Sequence, residues 1–371
     1  MDTNMKWTLC KILFLLFVII VLAGIAHTFL YTKKWEDAHP PTGKFKMVNG
    51  YKLHYRDINR APDSKLTPIV LIHGASANFL DMKIALGDRL SENRRIILVD
   101  RPGHGYSERP KDGYLLNVQT RQINGLIKKL DVEKPIIIGQ SYGGAVALKY
   151  AINYPDDVSG LVILAGVSHP WPGGVASHYS IGAGEGLGTL FRWTLFPALG
   201  EMKGPEFTAS IFWPKKPPRN YHDRAAIGLL YRPKEFKNNA QDITHLLKEV
   251  NAMKSRYKTI AVPVKILAGT QDTIVSPTIH ARTLGQQIPN AHFEFVPDTG
   301  HTLQHSATQE IDAMLAELDE ELSIEVSEEL AENLDAELSE ELDEELSEAL
   351  DENLDTELSE ELDEDLTQGN E

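Results

Sequence analysis

The sequence predicts an α/β protein built on a mostly parallel, doubly wound sheet, and three observations predict it. Short apolar runs alternate with helical patterns, at Ile69 to Ile72, Ile96 to Val99, Ile136 to Ile138, Leu161 to Leu164, Val264 to Leu267 and Phe293 to Val296. The triple Ile136-Ile137-Ile138, bounded by Pro135 and Gly139, has the uninterrupted apolar character of a strand buried on both faces. Finally, every motif with chemical potential falls just beyond the carboxyl end of one of these runs, where functional groups of such sheets collect.

In chain order, the first element is apolar. Ile12 to Leu30 gives 19 residues whose only ionisable member is His27, flanked by Lys6 and Lys11 before and by Lys33 and Lys34 after. That length spans a bilayer core as one helix, which predicts a single-pass N-terminal membrane anchor. A cleavable signal peptide competes, because Gly24-Ile25-Ala26 offers small residues at a suitable distance. Balanced flanking charge leaves the orientation weakly specified, but both readings put the main domain outside the cytoplasm, anchored in one case and secreted in the other. Anchor and linker occupy residues 1–41. Phe45 to Val48, the pair Asn49-Gly50 and Lys52 to Arg56 then read as a β-hairpin opening a domain of residues 42–316.

Within that domain, residues 169–259 break the rhythm of strands and read as an inserted helical lid. Gly182, Gly184, Gly186 and Gly188 and the run Pro214 to Pro218 argue for irregular connections. Its aromatics, Trp171, Phe191, Trp193, Phe196, Phe207, Phe212 and Trp213, are expected to fill the insertion's own core in preference to a substrate pocket.

The tail, residues 317–371, is a 20-residue repeat built on a four-residue unit, with an apolar residue at every fourth position from Leu318 to Leu366. A period of four advances about 400° per step on a helix, so the leucines drift about 40° each time and form no seam. With 26 of the 53 acidic residues and no basic one, self-repulsion predicts a disordered or transiently helical polyanion. Cations or a basic partner are its candidate ligands. The rest of the chain is net basic beneath an overall charge of −16, yet no Lys/Arg run interleaved with aromatics suggests a nucleic-acid groove. The single cysteine, Cys10, excludes an intrachain disulfide and any C-x-x-C metal or redox motif.

The chemistry is concentrated at Gly139-Gln140-Ser141-Tyr142-Gly143. A buried strand ends here in a Gly-flanked turn, a helix follows, and Ser141 stands at the corner. A serine hydroxyl needs a base, an acid that orients the base, and donors for the oxyanion. Asp272 lies in the loop after Val264 to Leu267, and His301 follows the next strand. Asp298 is the rival acid and His305 the rival base; Asp272 is preferred because Asp298, three residues before the histidine, has less freedom to face it. The strand Ile69 to Ile72 ends in His73-Gly74-Ala75-Ser76, which makes the amides of Ala75 and Tyr142 the candidate oxyanion donors. His73 and His104 read as architectural.

Together, the elbow around Ser141, His-Gly-Ala-Ser, the segment Asp100-Arg101-Pro102-Gly103-His104-Gly105-Tyr106-Ser107, Asp272 and His301 resemble the α/β-hydrolase fold family, in its serine-nucleophile, esterase- and lipase-like branch. The resemblance covers about residues 45–315. It implies an eight-stranded sheet with a lid after the sixth strand, a small-molecule acyl substrate, an acyl-enzyme, and neither metal nor organic cofactor. Serine at 141 disfavours epoxide hydrolases and haloalkane dehalogenases, which use Asp there. Ester hydrolysis is the expected activity, with carbon-carbon bond hydrolysis or haloperoxidase-like chemistry by the same residues as the alternative; a non-catalytic scaffold with a polyanionic tail is the alternative of another class.

Overall fold

The computed structural model describes residues 3–368, in two compact units, Met1–Leu318 and Asp319–Glu371. The first opens with helix α1 (Thr3–Ala38) and then forms one eight-stranded sheet of order β1-β2-β4-β3-β5-β6-β7-β8. The strands are β1 (Lys44–Val48), β2 (Tyr51–Ile58), β3 (Ile69–Ile72), β4 (Ile96–Val99), β5 (Ile136–Gln140), β6 (Gly160–Leu164), β7 (Val264–Gly269) and β8 (Ala291–Val296). β1 and β2 form the expected hairpin, closed by Asn49 and Gly50, both at positive φ as a tight two-residue turn demands. The β1–β2 and β2–β4 pairings are antiparallel, and every other pairing is parallel.

Burial explains the sequence pattern. Strands β3 to β7 bury every residue, which is why they read as largely apolar runs, while edge strand β8 alternates half-buried and exposed positions before the buried Val296. Helix α2 (Leu116–Lys129) and helix α3 (Tyr142–Asn153) pack against each other beside β5, and Val146, Leu148, Ile123 and Ile137 share one core. The strand order reverses between β3 and β5, so the loops after these two strands border the crevice where such sheets bind ligands.

Between β6 and β7 the chain runs through helices α4 (Ser177–Ala183), α5 (Leu187–Thr194), α6 (Phe196–Phe212) and α7 (Pro233–Met253); short turns join the first three, and residues 213–232, with short helical turns at Tyr221–Arg224 and Ile227–Tyr231, lead to the fourth. α7 packs on α4, while α5 and α6 pack against α1. The last helix, α8, spans Thr308–Gln368. This differs from the disorder expected for the acidic tail. From Thr308 to Gln368 the chain contains neither Gly nor Pro and is dominated by Glu and Leu, so intrinsic helix propensity carries the backbone where no seam exists.

Candidate active site

The turn after β5 places Ser141 by backbone strain. Ser141 has φ 54° and ψ −116°, a conformation that non-glycine residues adopt only when neighbours impose it. Its N–H donates to Leu164 O at 2.9 Å, and its carbonyl accepts from Gly144 and Val167 at 3.0 and 3.1 Å. The flanking glycines are steric necessities: a Cβ on Gly139 would stand 2.3 Å from Gly143 O, and one on Gly143 would stand 2.3 Å from Ile72 O.

The loops after β7 and β8 carry the other two residues. Asp272 is held by two backbone amides, Ile274 N and Val275 N, which donate to Oδ1 at 2.8 and 2.9 Å. Its free oxygen, Oδ2, accepts from His301 Nδ1 at 2.8 Å. With the Nδ1 proton so engaged, Nε2 carries the lone pair of a base. Nε2 lies 3.4 Å from the side-chain nitrogen of Gln140, the residue before the serine, and the Ser141 hydroxyl makes no hydrogen bond to it. Both Ser141 and His301 open onto one cavity. The rival acid Asp298 is exposed and accepts instead from Gln271 Nε2 at 2.9 Å. The rival base His305 is spent on Asp81, with Nε2 2.7 Å from Oδ1.

The turn after β3 supplies the remaining group. The Tyr142 amide is the first of α3 and has no carbonyl four residues earlier in the helix, and the Ala75 amide has no acceptor among the described residues. What holds the loop around Ala75 is a polar cluster absent from the sequence reading. Asn239 of α7 accepts from Ser76 N–H at 2.7 Å and donates to Ser76 Oγ at 3.0 Å. Arg101, wholly buried, donates to the carbonyls of His73 and Gly74 at 3.1 Å each and lies 4.2 Å over the Tyr142 ring. Asp242 of α7 neutralises it at 2.8 Å and also binds Arg109 and His104. Burial alone would raise the Asp242 carboxyl, but Arg109, His104 and Arg101 outweigh it and hold the group far below the usual range. Burial, reinforced by Arg101, pushes His104 down to about 4 and His73 lower than usual, so both rings stay neutral. Their architectural reading therefore agrees with the geometry. Gln140, Asn239 and Asp242 were missed; only Gln140 had a local signal, its place within the serine motif.

The cavity holds about 580 Å³ and is walled mainly by apolar side chains of the β6–β7 segment, with Ser141, His301 and Ala75 at its base. Four of the seven aromatics expected to be core filler, Trp171, Phe191, Phe196 and Phe207, line it instead. Phe196 serves both purposes, since it is also buried in a cluster with Tyr31, Tyr231 and Phe236.

Known proteins share this framework. The family model described as "Alpha/beta hydrolase family" matches residues 69–313. The 2-hydroxymuconate semialdehyde hydrolase of Pseudomonas putida is 27% identical over 273 residues, covering 71% of this chain and 89% of the relative. Monoacylglycerol lipase abhd6-A of Xenopus laevis is 25% identical over 280 residues, covering 74% and 81%. Among solved structures, an esterase from Exiguobacterium antarcticum superposes with a TM-score of 0.58 at 21% identity, over 75% of this chain and all of that one. Because the family model spans about two thirds of its length, the chain belongs to the alpha/beta hydrolase family and is a hydrolase.

Proposed function

We propose that the protein is a membrane-tethered serine hydrolase that cleaves a carboxylic ester, or a related acyl compound, through an acyl-enzyme. The observation that carries this reading is the hydrogen bond from His301 to a backbone-clamped Asp272 beside Ser141, at the base of an apolar cavity. Ser141 Oγ attacks the substrate carbonyl carbon while His301 Nε2 takes the hydroxyl proton. Negative charge gathers on the former carbonyl oxygen, within the reach proposed for the N–H groups of Ala75 and Tyr142. As the tetrahedral species collapses, the imidazolium returns its proton to the leaving alcohol. Water then attacks the acyl-enzyme with His301 as base, releasing the acid and restoring Ser141. Closing the Ser141–His301 bond requires the Gln140 amide to yield Nε2, a small shift of the kind substrate binding brings about.

Tethering is supported by α1, whose most apolar 18-residue window has a mean hydropathy of 2.9 and no buried residue. A helix that buries none of this surface within its own chain requires an apolar phase around it. A cleaved signal segment, giving a secreted enzyme, is the competing account of the same helix.

The relationship to a 2-hydroxymuconate semialdehyde hydrolase makes carbon-carbon bond hydrolysis the second reading. The predominantly apolar cavity favours an ester with an apolar acyl group over a polar dienoate. A panel of esters set against vinylogous diketones separates them. A fluorophosphonate probe tests the common core: one adduct mapping by mass spectrometry to Ser141 supports an activated nucleophile, whereas an unlabelled chain supports the non-catalytic scaffold.

A further inference from the structure

We propose that the face formed by α5 and α6 is embedded in the bilayer interface, so that the catalytic cavity opens to acyl chains supplied from the lipid phase. The inference rests on the proposed anchor and deepens it. Outside α1 and the acidic tail, exposed large apolar side chains concentrate between Ile181 and Trp213; Leu187 is 82% exposed, Met202 74% and Leu195 53%. Leu199, Lys203 and Phe207, one turn apart on α6, both line the cavity and are exposed, so the cavity opens at this helix.

The anchor fixes the depth of this face. The nineteen residues from Ile12 to Leu30 rise about 28 Å as a helix, close to the roughly 30 Å of a hydrocarbon core. The boundary with water therefore falls between Leu30 and the exposed Lys33 and Lys34, which pair with Asp37 and Glu201. At and below that level α1 touches the α5–α6 corner. Thr28 Oγ1 donates to Trp193 O at 2.9 Å, the Phe29 and Trp193 rings are 5.4 Å apart, and a Cβ on Gly24 would come within 2.9 Å of Thr194. Gly24 precedes Leu30 by six residues, about 9 Å along a helix, which is the depth reached by interfacial apolar faces. A spanning α1 thus carries the start of α6 into the interface with it, and Leu187, Leu195 and Met202 become lipid contacts.

The test uses the full chain carrying C10S, with an environment-sensitive fluorophore attached at one of four positions through L187C, M202C, I20C or E133C, in phosphatidylcholine and phosphatidylglycerol vesicles. Ile20 lies within the span, and Glu133 precedes β5, at the sheet edge opposite the cavity. Labels at 187 and 202 should be quenched by doxyl lipids as the label at 20 is, and by aqueous iodide about fivefold less than the label at 133. Iodide quenching at 202 equal to that at 133, with 20 still quenched by lipid, overturns the inference while leaving the anchor intact. An aqueous label at 20 removes the anchor, and the inference falls with it. Shielding at 202 that persists in detergent together with crosslinked pairs assigns the face to a second copy and also overturns the proposal. In a second arm, the double variant L195E/M202E should hydrolyse a soluble short-chain ester in detergent at the parent rate but a vesicle-borne long-chain ester about tenfold more slowly; an unchanged vesicle rate contradicts delivery from lipid.

Discussion

In the sheet, β3 to β7 bury every side chain, whereas the segment between β6 and β7 leaves Leu187, Leu195 and Met202 in the open and is tied to the catalytic rim by polar side chains of α7. Each buried Ile of the strands contributes about 1.5–3 kcal/mol by leaving water, without regard to direction. Asn239 and Asp242 act differently: their bonds to Ser76, Arg101, Arg109 and His104 have fixed lengths and directions, so they set where the loop around Ala75 stands. Apolar burial builds the platform, and a few directional bonds from the insertion set the position of its working edge.

Substitutions on the two sides of this division should separate rate from stability. The largest effect belongs to Asp272→Asn, which leaves packing intact but removes the acceptor that fixes the imidazole tautomer; steady-state kinetics should show kcat lower by roughly 10⁴-fold, with the urea midpoint nearly unchanged. Asp242→Asn should do the reverse, since it leaves the wholly buried Arg101 without its counter-charge. A loss of about 3–5 kcal/mol in urea unfolding is expected, and a variant as stable as the parent would mean that the cluster is not holding α7 to the body.

Asn239→Ala should fall between them. Loosening Ser76 costs transition-state contact more than fold, so kcat/KM should drop about 10- to 100-fold, or about 1.4–2.7 kcal/mol, with a smaller change in unfolding free energy. A pure stability loss would place Asn239 with Asp242 instead.

The smallest effect is in the pH dependence of unfolding. His280 lines the cavity and accepts from the amides of Ser168 and His169, and burial, with His169 nearby, pushes it down to about 4. The unfolded chain binds this proton near pH 6.5 and the native chain only near pH 4. The stabilisation is therefore complete above about 6.5 and is lost as pH falls towards 4, at a slope of up to about 1.4 kcal/mol per pH unit. His280→Asn should remove one proton's share of that slope in urea melts at pH 7, 6 and 5.

What could be read from the sequence follows the same division. Doubly buried strands announce themselves because they are apolar almost throughout, the buried Lys265 of β7 being matched by Glu317, and the elbow does so because the crowding at Gly139 and Gly143 admits only glycine. Asp272 and His301 were legible because strand ends share one rim. Asn239 and Asp242 were not: each meets partners more than a hundred residues away, and a single Asn or Asp on a helix carries no periodic signal of its target. The tail erred the other way. Its period of four denies the helix a seam, but α8 starts on the packed Ile311, Met314, Leu315 and Leu318, and backbone propensity continues it where the leucines are exposed.

The most direct measurement of the central claim is hydrolysis of a short p-nitrophenyl ester by Ser141→Ala, compared with the parent chain at matched thermal stability. The strained φ of 54° at Ser141 is the same backbone demand for either residue, so the melting temperature should move by no more than a few degrees while turnover falls to the uncatalysed level. Turnover that survives in a folded Ser141→Ala protein would contradict the account, because a different group would then be attacking the substrate.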